Sequence, residues 1–348
     1  MLVAVLLLLL VGAVPARADV WRDRQWYFAP MKLAQAQKLG RGGAGVTVAV
    51  LDTGIDNRHP DLRGAIVSGR HSNVITGPHG TAMAALIAGR GHGDGDGVLG
   101  VAPRSRVIPI RPVRNHALAV EGIDWAITHG AKVINMSFEL KSDGSLQRAL
   151  ARAAAADVVL VAAAGNESGA VSPPARYPGV IAVGSVGRDN KVTSFSNHGP
   201  ELDVVAYGVD IPVVRPGGKY AVTNGTSVSS AIVAGAAALI RARFPDMPAA
   251  EVVDRITGTA KDRGPRGHDD RYGSGQLDVM AALTEKRAPR KAASVKQAAQ
   301  KTQQETTTAV GTPTIDSRPR PLLIVVAGSL LLGAGLLLLG LLRWRRNS

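Results

Sequence analysis

The chain has 348 residues, a formal net charge of +14 and no cysteine. Without cysteine there is no thiol nucleophile, no thiolate metal site and no disulfide. Residues 286–348 hold eleven Lys or Arg against two acidic residues, and the whole chain has four Phe and five Tyr, so the basic excess reads as membrane-facing and not as a nucleic-acid surface.

Residues 1–18 read as a secretory signal. Leu2 to Val14 is an apolar run, and Ala16-Arg17-Ala18 fits the small-x-small cleavage pattern, with the cut before Asp19. No Lys or Arg precedes the run, so an uncleaved anchor is the alternative reading. Residues 19–45 form an N-terminal extension, whose Trp21 to Phe28 is expected to pack against the following domain. Residues 46–285 read as one domain, large enough to bury a core without covalent staples.

Within that domain short apolar runs alternate with helical stretches. Strands are expected at Val46 to Leu51, Val107 to Ile110, Val133 to Met136 and Val158 to Ala163. Helices are expected at His79 to Ala88, Ala119 to Thr128, Leu146 to Ala156 and Ala231 to Arg241, with His79 and Ser227 read as helix starts. Continuous apolar strands between helices predict an α/β fold, a parallel sheet sandwiched by helices. Active groups then gather at the strand ends and the loops beyond them.

Three separated segments supply chemistry. Asp52 follows Val48-Ala49-Val50-Leu51, His79 opens His79-Gly80-Thr81-Ala82-Met83-Ala84, and Ser227 closes Asn224-Gly225-Thr226-Ser227. A serine hydroxyl needs a neighbouring base to become a nucleophile. The imidazole of His79 titrates near neutrality and suits that role. Asp52 would fix its tautomer and stabilise the imidazolium. The attacked carbonyl becomes an oxyanion that needs donors in place; Asn166, after Ala162-Ala163-Ala164-Gly165, and the Ser227 N–H are the candidates. Singly, each has an ordinary reading: a turn Asp, a polar helix start, a Gly-Thr-Ser loop, a turn Asn.

As a set these motifs resemble the subtilisin-like serine proteases, or subtilases (peptidase family S8), whose triad runs in the order Asp, His, Ser. Further matching blocks are Asp52-Thr53-Gly54-Ile55-Asp56 with His59-Pro60-Asp61-Leu62, then Gly97 to Pro103, Val133-Ile134-Asn135-Met136-Ser137, Val180 to Gly184 and Ser194 to Pro200. The resemblance implies a subtilisin-like sheet, Asp52, His79 and Ser227 as triad, and Asn166 as oxyanion donor. It implies that the backbone of Ser137, Phe138 and Glu139 pairs with an extended peptide as an added strand. Ala163, Ala164 and Gly165 would line the pocket for the residue before the scissile bond, with room for a bulky apolar side chain. No cofactor is required for catalysis. A structural calcium is a further expectation, with Asp61 and Asp94 at the register of its side-chain ligands; the Gly- and Asp-rich run Gly91 to Gly97 reads equally as a solvated turn.

The chain departs from the family in places. Val228-Ser229-Ser230-Ala231 follows Ser227 where the family has Met-Ala and a later Pro, and Ser229 and Ser230 are expected to cap the helix instead. Glu139 stands at a usual Gly, either as a rim carboxylate favouring basic substrate residues or as an exposed residue without a role. Tyr207 stands at a usual Pro. Residues 19–45 are too short for the long folded pro-segment common in the family.

Residues 286–321 are rich in Lys, Arg, Gln, Thr, Ala and Pro and read as a flexible basic stalk. Leu322 to Leu342 is 21 residues without a charge, enough for one transmembrane helix. Residues 343–348, with Arg343-Trp344-Arg345-Arg346, read as a cytoplasmic tail. This layout resembles mycosins, membrane-anchored subtilases of bacterial secretion systems. The expectation is a single-pass serine endopeptidase acting on polypeptides outside the cytoplasm. The alternatives are a weak or inactive subtilase-fold peptide-binding protein at the membrane, and an esterase or transpeptidase using the same acyl-enzyme.

Overall fold

Thr47-Val48-Ala49-Val50-Leu51 is buried at all five positions, the signature of a strand covered on both faces. The same holds for Val133–Met136, Val159–Ala163, Val180–Val186 and Val204–Tyr207. The computed structural model describes residues 20–285 except 68, 70–73, 94 and 111–112. The expected signal, stalk, membrane helix and tail lie outside the described residues, as does Asp94.

In chain order the elements begin with α1 (Val20–Asp23), α2 (Leu33–Leu39), β1 (Thr47–Leu51) and α3 (His79–Ala88). The short strands β2 (Arg90–His92) and β3 (Asp96–Leu99) follow, then β4 (Arg106–Ile110), α4 (His116–Thr128), β5 (Val133–Met136) and α5 (Gly144–Ala155). Next come β6 (Val159–Ala163), β7 (Val180–Val186), β8 (Val204–Tyr207) and the hairpin β9 (Ile211–Arg215) and β10 (Lys219–Thr223). Helices α6 (Thr226–Arg243), α7 (Ala249–Gly258) and α8 (Val279–Thr284) close the series.

Six strands form one sheet in the order β4-β1-β5-β6-β7-β8, every pair parallel. The order reverses between β1 and β5, which opens a crevice beyond their carboxyl ends. Helix α6 lies against α3 and along β5 to β8, while α4 packs with α5. Among the described residues no helix is long and apolar enough to cross a membrane.

Helix α3 and strand β5 fall on their expected residues. Helix α6 begins at Thr226, so Ser227 does stand at a helix start as expected, five residues ahead of the stretch expected from Ala231. The hydroxyls of its first turns suggested a cap or loop. In the fold Ser229 and Ser230 are fully buried inside the helix. Ser229 Oγ donates to the Ala206 carbonyl (3.1 Å) and Ser230 Oγ lies 3.2 Å from Asn135 Oδ1. They cap nothing. Gly225 occupies the cap position and has no side chain to cap with.

The N-terminal extension is fixed to the body by specific bonds. Gln25, 3% exposed, takes the Leu99 N–H on its side-chain oxygen (2.9 Å) and donates to the Leu99 carbonyl (2.8 Å). Arg22 donates to Gly97 O (2.9 Å). Trp26 donates to Asp210 O (3.0 Å) and packs edge-on against Tyr207 (4.7 Å between centroids).

Candidate active site

Asp52 is the first residue beyond β1, and its position follows from the strand: the buried run ends and the chain turns at Thr53-Gly54. Its side chain is 2% exposed. Oδ1 accepts the Thr53 N–H at 2.7 Å, which sets the carboxylate plane. His79, at the start of α3, brings Nδ1 to 2.8 Å and 2.9 Å from the two Asp52 oxygens. Nδ1 therefore carries the proton, and Nε2 is left as the basic nitrogen. Burial of the ring opposes its charge, but the hydrogen bond to Asp52 and the Asp52 charge outweigh that, so the pKa is raised above 6.5.

Two contacts hold this pair in register. Thr53 Oγ1 donates to Gly77 O (3.0 Å) and accepts the Gly80 N–H (2.9 Å). Gly80 cannot carry a side chain: a Cβ there would collide with the Gly54 carbonyl and stand 3.1 Å from Asp52 Cβ.

Ser227 is the second residue of α6 and lines, with His79 and Asn166, a cleft of about 200 Å³ walled by Met83, Val213 and Val222. The structure thus brings the expected carboxylate–imidazole pair, the serine and the asparagine to one opening. Asn166 lies three residues beyond β6, in a loop. Its Oδ1 accepts from Thr226 N (2.9 Å) and Thr226 Oγ1 (3.1 Å). With the oxygen engaged, the amide NH₂ is the group left to donate.

Ser137, Phe138 and Glu139 continue past the last paired residue of β5, Met136. Among the described residues, their backbone groups bond to no other backbone, which leaves an edge an extended chain can join. Ser137 Oγ reaches the Ser227 carbonyl (3.3 Å). Phe138 is partly buried against the core, and Glu139 is exposed. Ala163 and Ala164 are buried. Gly165 has φ +114°, and a Cβ on it would collide with Asn197 and stand 3.1 Å from Glu139 Oε2.

The Subtilase family profile, Peptidase_S8, matches residues 43–275. Subtilisin of Bacillus pumilus is 40% identical over 268 residues, covering 72% of this chain and 96% of that one. Subtilisin Savinase of Lederbergia lenta is 37% identical, covering 74% and 97%.

The chain belongs to the subtilase family.

This subtilase is a serine endopeptidase. Solved structures agree with the assignment. MycP1 with its N-terminal propeptide removed superposes with a TM-score of 0.66 at 32% identity, over 76% of this chain and 98% of that one. The prenylagaramide maturation protease PagA gives 0.64 at 28% identity, over 72% and 96%.

Several supporting residues of the subtilase site escaped the sequence reading. Asn135 Nδ2 donates to Ser137 Oγ (2.9 Å), which bonds Ser230 Oγ (2.9 Å), itself 3.0 Å from the Ser227 carbonyl. This buried polar chain ties β5 to the first turn of α6. Asn197 Oδ1 accepts the N–H groups of Glu167 and Gly169 (2.9 Å each), and Nδ2 donates to Ala170 O (2.9 Å). It shapes the loop that follows Asn166. The Ser194 to Pro200 block carried the signal, but it gave register and no partner.

The expected calcium does not fit the residues present. Asp61 is fully buried, and its oxygens already accept from His92 Nδ1 (2.6 Å), Tyr220 OH (3.1 Å) and Val98 N (2.7 Å). Calcium needs oxygen ligands turned toward it, and these neighbours are donors. Among the described residues no cluster of three or more His, Asp or Glu is placed to hold a metal.

Proposed function

We propose that this subtilase hydrolyses peptide bonds through an acyl-enzyme on Ser227, with His79 as base, Asp52 as its partner and Asn166 with the Ser227 N–H as oxyanion donors. The observation that carries this is the Asp52–His79 pair, 2.8 Å apart at the mouth of the cleft that Ser227 and Asn166 also line. Ser227 Oγ attacks the carbonyl carbon and gives its proton to His79 Nε2. The carbonyl electrons move to oxygen, where the Asn166 amide and the Ser227 N–H receive them. Collapse breaks the C–N bond, and the leaving amine takes the proton from His79. Water then repeats the sequence, with its proton going to His79, and the acid leaves Ser227. The unpaired edge at Ser137 to Glu139 supports binding of the substrate as an added strand.

The enzyme works outside the cytoplasm, tethered by its C-terminus. Support comes from the apolar run Leu2 to Val14, the 21 uncharged residues Leu322 to Leu342 and the arginines that follow. The stalk of residues 286–321 gives the domain reach from the membrane.

A fluorophosphonate probe labels the wild type and not Ser227→Ala. Labelling that survives this substitution, or proteolysis that survives His79→Ala, overturns the assigned roles. Truncation after residue 321 releases the protease from washed membranes; a truncated chain that stays bound removes the tether.

A further inference from the structure

We propose that Glu139 selects substrates with Lys or Arg as the residue immediately before the scissile bond. This deepens the reading above and rests on it, together with the resemblance, which implies that this residue lies between Ser137–Glu139 and Ala163–Gly165.

Glu139 Oε2 would stand 3.1 Å from a Cβ placed on Gly165. The carboxylate therefore hangs over the residue just before Asn166, and so beside the proposed oxyanion site. It is exposed, and among the described residues no hydrogen bond or ion pair engages it. Most of the other acidic side chains near the cleft are engaged. Asp52 holds His79, Asp56 takes the Arg58 and Gly217 N–H groups, and Asp61 takes His92. Glu139 thus offers an unpaired negative charge above Gly165, while Glu167, the exposed residue after Asn166, is the other free carboxylate nearby among the described residues.

The facing wall explains the length of side chain it selects. Ala163, Ala164 and Gly165 present no bulk and no charge. The methylene stem of a Lys or Arg lies along them while its head reaches the carboxylate. Arg adds a two-pronged fit to both oxygens. A Leu or Phe in the same place covers the carboxylate without pairing it, which removes water from a charge and returns nothing. Discrimination thus has an attractive and a repulsive part. A substrate Glu at this position meets like charge and is rejected.

The test uses the detergent-solubilised full chain and quenched peptides that differ only before the scissile bond, as Lys, Arg, Leu or Glu. The wild type cleaves the Lys and Arg peptides with kcat/KM roughly tenfold above Leu, as one charge pair near a surface allows. Glu139→Gln collapses the Lys-to-Leu ratio toward one. Glu139→Arg reverses the charge and makes Glu preferred to Lys. A wild type that prefers Leu to Lys, or a ratio unchanged in both variants, overturns the proposal. Fluorophosphonate labelling of each protein is measured in parallel. Failure of the wild type to label overturns the Ser227 reading itself, whereas labelling without a charge preference overturns the role of Glu139 alone.

Discussion

Thr226 grips Asn166 by its side-chain oxygen, with the backbone N–H at 2.9 Å and the hydroxyl at 3.1 Å. The grip aims the amide nitrogen, because an asparagine has one acceptor end and one donor end. The same hydroxyl accepts the Gly165 N–H (3.2 Å), so one buried threonine fixes both the donor and the loop before it. Removing a preorganised oxyanion donor lowers kcat by about 10²–10³, a figure measured on a subtilisin asparagine and not on this chain. Asn166→Ala is expected to lose kcat on that scale with KM little changed. Thr226→Val keeps the backbone bond and is expected to lose roughly tenfold, since only half the grip is gone. Steady-state kinetics on one peptide distinguish the two, and a Thr226→Val enzyme weaker than Asn166→Ala contradicts the assignment.

The pairing of His79 with Asp52 sets the pH dependence of activity. Protonated His79 cannot act as base, so kcat/KM rises with pH through the His79 pKa, which lies above 6.5. Asp52→Asn leaves burial as the main influence and moves the acid limb to lower pH, while reducing the plateau. The stability consequence has the opposite sense. The folded state binds this proton more tightly than the unfolded chain, so the contribution is full below pH 6.5 and is lost as pH rises through the folded pKa. A rate profile whose acid limb is unmoved in Asp52→Asn contradicts the coupling.

Asp203 immediately precedes β8, where its pairing with β7 starts, and its Oδ2 accepts the Ala182 N–H (2.8 Å). Burial pushes its carboxyl up to about 6 from 3.8, against the pull of that N–H and of His268. An unfolded chain ionises this group first, so stability falls as pH rises between 3.8 and about 6 and stays lower above that window. Asp203→Asn keeps the acceptor and removes the charge. Its melting temperature is expected to gain on the wild type across that window and hold the gain above it. A difference that does not change with pH excludes Asp203 as the source.

Arg241, 3% exposed, is paired with Asp157 at 3.0 Å and donates to Met247 O at 2.6 Å. Burial acts to raise the Asp157 pKa, but the bonds from Arg241 and the Ala249 N–H, with the nearby charges, bring it below 3.8. This contribution is therefore present above pH 3.8 and lost as pH falls through the folded value. Asp157 has φ +63°, a conformation asparagine tolerates, so Asp157→Asn removes the charge and one of the two accepting oxygens without straining the backbone. Asp157 is partly exposed, and the expected loss at pH 7 is about 1–2 kcal/mol, below the usual cost of stranding a buried charge. Denaturant melts at pH 7 and at pH 3 read it, and an equal loss at both would exclude an ionic origin.

Asp61 accepts from His92, Tyr220 and Val98. A chelator is therefore expected to leave the melting temperature unchanged, while His92→Ala lowers it by removing one of the three donors to a fully buried carboxylate. A melting temperature that drops in chelator and returns with calcium contradicts this.

The motifs around Asp52, His79 and Ser227 were legible because each carries its own local frame. An apolar strand ends at Asp52, a helix starts at His79, and small residues flank Ser227. The parallel sheet was legible for the same reason: strands covered on both faces are apolar throughout. The role of Ser229 and Ser230 was misread because they look like cap residues until Ala206 and Asn135 satisfy their hydroxyls. The calcium reading met a similar limit, since only the fold shows three donors already on the Asp61 carboxylate, while Asp94 lies outside the described residues.

The sequence by itself determined the architecture and the chemical groups, because periodicity and local flanks are properties of neighbouring residues. Tertiary structure alone decided how those groups are aimed and what satisfies them. Thr226 lies 60 residues from Asn166, and Ser230 lies 95 from Asn135. A buried polar atom must find a partner, and the chain supplies it from wherever folding brings one close.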